Sequence, residues 1–274
     1  MRGATGVTNM SDAAILKVDS RGVATLTLNR PGVHNAFDKG LITELTSILS
    51  ELQSRIDVRL VILTGSGSSF SSGADIGWMR SMAEFSEEQN YEDAVQLAEL
   101  MSLLNGLTKP TVAKVNGHAF GGGLGLVACC DIAIAADNAR FCFSEVRLGI
   151  VPAVISPYVI EAIGVRQARR FFLSAEIMSA KKARRIGLIH EIARPAKLDQ
   201  AVDDHLVMLL KGGPKAQRES KQLISMVSGH SQSVDQALRQ RTAEIIAQMR
   251  VSEEGQEGLQ AFLAKRAPGW ISGE

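Results

Sequence analysis

The run Asn116-Gly117-His118-Ala119-Phe120-Gly121-Gly122-Gly123-Leu124-Gly125-Leu126 decides the fold. Pro110 ends whatever helix precedes it, and Thr111 to Val115 reads as a short buried strand. Gly117 to Gly125 then reads as a glycine loop opening an apolar helical stretch, Leu126 to Cys130, before the next strand, Ile132 to Ala135. The same order occurs earlier, with a strand at Leu60 to Thr64 and a Gly/Ser loop at Gly65 to Gly77. Strand, glycine loop and helix together bring backbone N–H groups to a ligand. Two N–H groups, one from each loop, can meet at a carbonyl oxygen and stabilise negative charge developing there. The alternative is that the glycines only allow close packing of helix on strand. Neither loop carries GxGxxG, GxxxxGK or GxSxG, which removes the dinucleotide, P-loop and nucleophile-elbow readings.

Working outward, Ala14 to Val18 and Val23 to Leu28 flank the turn Asp19-Ser20-Arg21-Gly22 and read as a hairpin. Asp38 caps a helix to about Arg55, with Leu41, Leu45, Ile48, Leu49 and Leu52 on one face. Glu87 to Leu107 is an amphipathic helix. Phe141 to Phe143 is a strand, Ser156 to Ile163, Arg166 to Leu173 and Ala180 to Ile186 are helices, and Leu188 to Ile192 is a strand. From Leu198 onward every periodic segment is helical: 198–211, 214–228 and 232–266, the last with a break near Ser252. The domain reading is a disordered lead-in at 1–12, an α/β core at 13–197 and a helical region at 198–274.

Composition narrows the function. The 274 residues carry 30 Lys+Arg against 29 Asp+Glu, a net charge of +1, which gives no basic field for nucleic acid. At 45% hydrophobic the chain is no disordered tail. No apolar run is long enough for a membrane span, and Met1 to Asp12 lacks the apolar segment of a secretion signal. The three cysteines, Cys129, Cys130 and Cys142, sit in apolar surroundings without metal-ligand spacing and read as reduced, buried thiols of a cytoplasmic protein. His34, His190, His205 and His230 show no ligand spacing, so no metal site is expected. Asp131 reads as a structural residue fixing the turn after the buried helix.

The glycine run resembles the NGxAxGGGxxL signature of the crotonase (enoyl-CoA hydratase/isomerase) family, continued by Asp131-Ile132. Phe70 to Ile76 resembles its FxxGADI loop, and Leu28-Asn29-Arg30-Pro31 with Asn35-Ala36-Phe37 its LNRPxxxNAF start. Phe141 to Pro152 is similar to its FxxxExxxGxxP segment, and Glu257-Gly258, Ala261-Phe262 and Lys265-Arg266 to its C-terminal EGxxAFxxKR. The resemblance runs from about residue 14 to the C-terminus. It implies an α/β spiral of ββα units followed by a C-terminal helical trimerisation region. It further implies trimers or hexamers, a coenzyme A thioester substrate, and no metal or redox cofactor.

Site residues follow from the resemblance. The oxyanion donors would be the backbone N–H groups of Ser72 and Gly122, and Glu145 the catalytic acid/base. Ser72, Gly73, Ala74 and Asp75 would hold the adenine end of coenzyme A through backbone groups, and Val33 would contact its arm. Gly32 stands where some relatives carry Lys. Phe262 and Lys265 match residues that reach the coenzyme A of an adjacent subunit. His118 and Arg147 are candidate substrate contacts. The acidic stretch Glu84 to Asp93 matches a region that lines the acyl pocket and gates access. Typical hydratases carry a second glutamate two residues past GGG, and this chain has Gly125 there.

Three activities follow. The first is an enoyl-CoA hydratase adding water across the 2,3 double bond, with a branched dicarboxylic substrate such as 3-methylglutaconyl-CoA using the space vacated at Gly125. Ser144-Glu145-Val146-Arg147-Leu148-Gly149 resembles the methylglutaconyl-CoA and carboxygeranoyl-CoA hydratase-like branch of leucine and terpenoid catabolism. The second is an enoyl-CoA isomerase using Glu145 alone. Its dienoyl variant is disfavoured because Ala153 stands where that subgroup has a catalytic Asp. The third is a non-catalytic binding protein of the same fold, but the helix that carries Lys in RNA-binding relatives has none after Lys39.

Overall fold

The computed structural model describes residues 13–228 and 236–271. The expected lead-in at 1–12 and His230 lie outside them. Strands β1 (Ala14–Val18) and β2 (Val23–Leu28) form the hairpin. Asp19 shapes its turn, accepting from the N–H groups of Arg21 and Val23 at 2.9 and 3.0 Å. Helix α1 (Lys39–Ser54) is capped by Asp38, which accepts from Leu41 N–H at 2.8 Å. It buries the stripe read from the sequence.

The chain then repeats strand, strand, helix. Strands β3 (Leu60–Gly65) and β4 (Ser69–Ser71) lead to α2 (Ile76–Glu84) and α3 (Glu87–Asn105). Strands β5 (Thr111–Val115) and β6 (His118–Phe120) lead to α4 (Gly122–Ala128). Strands β7 (Ile132–Ala136) and β8 (Arg140–Cys142) lead to α5 (Ser156–Ser174). After these come β9 (Met178–Ser179), α6 (Ala180–Arg185), β10 (Glu191–Ala193), α7 (Leu198–Leu210), α8 (Pro214–Val227), α9 (Gln236–Val251) and α10 (Glu253–Leu263).

Each repeat gives one strand to each of two sheets. The larger has the order β1-β2-β3-β5-β7-β10, parallel except for the hairpin. The smaller has the order β4-β6-β8-β9, in which only β9 runs antiparallel. The larger sheet is covered on both faces, so its strands are apolar almost throughout. Val61, Leu63, Ala113 and Val115 point into the main core. Their neighbours Leu60, Ile62, Val112 and Ile134 pack against Leu198, Val202 and Leu206 of α7. The first helix of the expected helical region therefore belongs to the packing of the α/β core.

Several elements differ from the sequence reading. Neither glycine segment is loop throughout, because each contains a three-residue strand of the smaller sheet, too short to show a period. Helix α2 was hidden inside the first of them and just beyond it. The two expected helices at 156–173 form one element, yet Gly164 at φ 74° and ψ 156° breaks its helical geometry where the reading put the gap. Ser252 caps α10 with a bond from Gly255 N–H at 3.1 Å, so the long C-terminal helix breaks as expected. The three cysteines are free and buried. Among the described residues no helix is long and apolar enough to cross a membrane.

Asp131 takes the structural role read for it. Its Oδ2 accepts from Thr111 N–H at 2.7 Å, Thr111 Oγ1 at 2.9 Å and Lys221 Nζ at 2.7 Å, tying α8 to the starts of β5 and β7. The Asp131→Ala variant is expected to lose roughly 1–3 kcal/mol of stability. A lower denaturation midpoint with an unchanged slope in urea checks this.

Candidate active site

The smaller sheet positions the site. Its strands β4, β6 and β8 lie side by side and parallel, pairing Ser71 with Ala119, and Phe120 with Cys142. All three therefore end at the same edge. Two or three residues beyond the strands stand Ala74, Gly122 and Glu145, and all three line one cavity of about 620 Å³. Ligands commonly sit beyond the carboxyl ends of parallel strands for this reason.

The first loop is braced from the N-terminal segment. Arg30 donates to Ala36 O at 2.6 Å and pairs with Asp38 at 2.8 Å and Asp75 at 3.3 Å. Asn35 is fully buried, with Nδ2 donating to Ser66 O and Ser69 O at 2.9 and 2.8 Å. Phe37 then forms a parallel bridge with Ala74. Its N–H donates to Gly73 O, and its carbonyl accepts from Asp75 N–H, both at 2.7 Å. In an extended chain successive peptide groups point to opposite sides, so the N–H of Ala74 points away from Phe37. It makes no hydrogen bond among the described residues.

This corrects one expected donor. The N–H of Ser72 is already taken, donating to His34 O at 3.0 Å. Ala74 is the residue of this loop that lines the cavity with an unengaged N–H. The expected Gly122 stands in the second loop, at the first position of α4. Gly121, at φ 49°, turns the chain from strand into helix there. The first N–H groups of a helix have no partner within it, and that of Gly122 makes no other bond among the described residues.

Among the described residues that line the cavity, Glu145 is the only carboxylate. Its Oε2 is closed off from solvent and has no hydrogen-bond partner among the described residues. Removal from water disfavours the charged form and pushes its pKa up from 4.5 to about 7, offset in part by a bond to its own backbone N–H. The folded chain therefore binds more protons here than the unfolded chain between about pH 4.5 and 7. Stability contributed by this group is full at lower pH and is lost as pH rises through that window.

Residues 19–273 match the family described as enoyl-CoA hydratase/isomerase. The crotonyl-CoA hydratase of Syntrophomonas wolfei is 33% identical over 91% of this chain and 95% of its own. The 2,3-dehydroadipyl-CoA hydratase of Escherichia coli is 29% identical over 90% and 94%. The crystal structure of an enoyl-CoA hydratase from Shewanella pealeana is 44% identical, with a TM-score of 0.77 over 94% of this chain and 96% of that one. The chain belongs to the enoyl-CoA hydratase/isomerase family. The spiral described above is the crotonase fold, and the chain is an enzyme of that family.

Against this family frame, the second acid position is filled. A Cβ on Gly125 would collide with Ile155 Cγ2 and come within 3.0 Å of Ile155 Cβ and 3.1 Å of Met101 Cε. Gly125 thus vacates no space for a substrate branch, contrary to expectation. Ile155 occupies it and itself lines the cavity. Ala153 also faces the cavity, where the dienoyl subgroup would need an acid.

Other expected contacts divide. Ser72 and Gly73 line the cavity; Val33 and Asp75 do not. Val33 is 42% exposed, and its carbonyl lies 3.4 Å from Ser72 Oγ. Asp75 spends its carboxylate on capping α2, accepting from Gly77 N–H at 2.8 Å, and on Arg30. His118 is exposed and does not line the cavity; strand alternation puts it on the same side as Phe120, with the two rings stacked 5.8 Å apart. Arg147 does line the cavity, with Nη2 donating to Ala175 O at 2.8 Å. Phe262 lines the cavity of its own chain, rather than reaching only toward a neighbour, and Lys265 does not line it while Arg266 does. The reason is that α10 packs directly on residues 145–149, closely enough that a Cβ on Gly258 would strike the Leu148 carbonyl. The acidic stretch 84–93 ends anchored, with Asn90 and Asp93 buried. Sequence reasoning missed Phe37, Trp78, Ile155 and Arg250, which all line the cavity. Of these, Phe37 carried a signal in Asn35-Ala36-Phe37.

Two outcomes are expected. Gly125→Glu alone destabilises the protein, whereas Gly125→Glu with Ile155→Ala recovers most of the melting temperature, since the obstruction is Ile155. Glu145→Gln gains melting temperature relative to the natural protein as pH rises from 5 to 8, because it never ionises.

Proposed function

We propose that this enzyme hydrates the 2,3 double bond of an enoyl-CoA thioester, with Glu145 as its single acid/base. The observation that carries this is the placing of two unengaged N–H groups and one carboxyl with an unpartnered Oε2 around one cavity, among the described residues. The thioester oxygen accepts from Ala74 and Gly122. The Glu145 carboxylate takes a proton from water as the oxygen adds to Cβ. The electron pair moves to the thioester oxygen as an enolate, which each N–H stabilises by a few kcal/mol. Glu145 then returns the proton to Cα, so one water is added and the carboxylate is regenerated. Addition of water changes no overall oxidation state of the thioester, so the sequence needs no redox cofactor. The named activities of the Syntrophomonas and Escherichia relatives support hydration.

Filling of the second acid position by Ile155 favours a second reading, double-bond isomerisation. There Glu145 removes a Cα proton from a 3-enoyl-CoA and returns it to Cγ. A branched dicarboxylic substrate such as 3-methylglutaconyl-CoA no longer draws support from Gly125. We also propose assembly as a homotrimer or hexamer, in keeping with the exposed Leu223, Ile224, Met226 and Val227 of α8.

Hydration of crotonyl-CoA, followed by loss of enoyl absorbance, is expected to fall about 100-fold or more in Glu145→Gln. Because the base form is required, kcat/KM rises with pH and levels off above about 7. Conversion of a 3-enoyl-CoA without uptake of water, and no hydration of any 2-enoyl-CoA, would select isomerisation instead.

A further inference from the structure

Glu145 starts a single 3-10 turn, Glu145–Leu148, that has little of its own to fix it. None of its four residues is buried as a whole, and Ser144 before it offers no side-chain cap. Such turns are weak where neither packing nor capping supports them. Among the described residues, Arg147 is the one side chain of the turn that hydrogen-bonds another residue, with Nη2 donating to Ala175 O at 2.8 Å.

The acceptor is placed by an unusual backbone. Ala175 ends α5 in the left-handed region, at φ 47° and ψ 34°, and is fully buried. A residue with a Cβ adopts that conformation only at an energetic cost. Strand β9 pairs antiparallel with β8, Phe141 opposite Met178, which carries the chain from Ala175 past the end of β8. The same Ala175 oxygen accepts from Cys142 Sγ at 3.2 Å. Cys142 is the last residue of β8, before Glu145 in the chain, and Arg147 comes after it. One carbonyl, with two lone pairs, therefore holds the chain on both sides of the acid. The last carbonyls of a helix carry partial negative charge, so a cation is the fitting partner. On its other side the turn abuts α10, where a Cβ on Gly149 would strike the Glu254 carbonyl.

We infer that Arg147 is a positioning residue, which through the Ala175 carbonyl holds the 145–148 turn so that the Glu145 carboxyl faces the cavity. This rests on the reading of Glu145 as the acid/base. The state of the carboxyl can be followed without any reaction, so the two can fail separately. The charged side chains lining the cavity with Glu145 are Arg147, Arg250 and Arg266. Burial pushes the nearby Cys142 thiol up, which keeps it neutral. Loss of a cation raises the pKa of a carboxyl, whereas a loosened turn admits water and lowers it. Removal of Arg147 therefore separates the two effects by sign.

The test is titration of the Glu145 carboxyl by infrared difference spectra, with Glu145→Gln as the blank, well below the melting temperature. The midpoint lies at about 7 in the natural protein and is expected to fall toward the ordinary carboxylate range in Arg147→Met. With crotonyl-CoA, kcat falls about tenfold or more while KM changes less than about twofold. Arg147→Lys restores part of both. Arg147→Gln, too short to reach Ala175, behaves as Arg147→Met and replaces it if that variant does not fold. A midpoint that stays or rises overturns the inference, whatever happens to the melting temperature. If KM then rises with kcat unchanged, Arg147 is a substrate contact instead. A lowered midpoint upholds the inference even if no thioester is hydrated, in which case only the hydration reading falls.

Discussion

Parallel pairing of three very short strands governs the rest of this molecule. Because β4, β6 and β8 run the same way in one sheet, the residues that follow them emerge at one edge. Ala74, Gly122 and Glu145 lie 71 positions apart in the chain at most, and none is near another in sequence. A shift of register in any of these strands would move one of them relative to the other two. The larger sheet holds the register steady, since each short strand follows a longer, fully packed one in the same repeat.

The electrostatic character of the site follows from its lining. Apolar residues remove water from around Glu145, and its Oε2 has no hydrogen-bond partner among the described residues. The same desolvation that makes the carboxyl a proton carrier near neutrality weakens the fold whenever it is charged. Filling of the Gly125 position by Ile155 removes the neighbour that would have shared the proton chemistry. One carboxyl must therefore serve as both base and acid.

Much of the fold was legible because its signals are local. The Asp38 cap, the leucine stripe of α1 and the break at Ser252 each involve residues within a turn or two of one another. Strands β4 and β6 were not legible, since three residues show no period and their identity lies in cross-chain pairing. In the site, Gly122 and Glu145 could be placed from motifs alone. Choosing Ala74 over Ser72 required knowing that His34, far upstream, had already engaged the Ser72 N–H. His118 stood in the right motif, but strand alternation turned it away. Arg250 left no mark in the sequence, because its place beside the cavity depends on α9 folding back onto α3 to meet Asp93.

The packing of α10 against residues 145–149 also sets an order of assembly. Both N–H loops and the acid lie in the first half of the chain or just past it, whereas Leu259 and Phe262 close the cavity from far downstream. During synthesis the chemical groups can gather well before their enclosure exists. Until α10 docks, this side of the cavity stands open to water, so a half-made chain has the parts of the site with less of the desolvation that raises the Glu145 pKa.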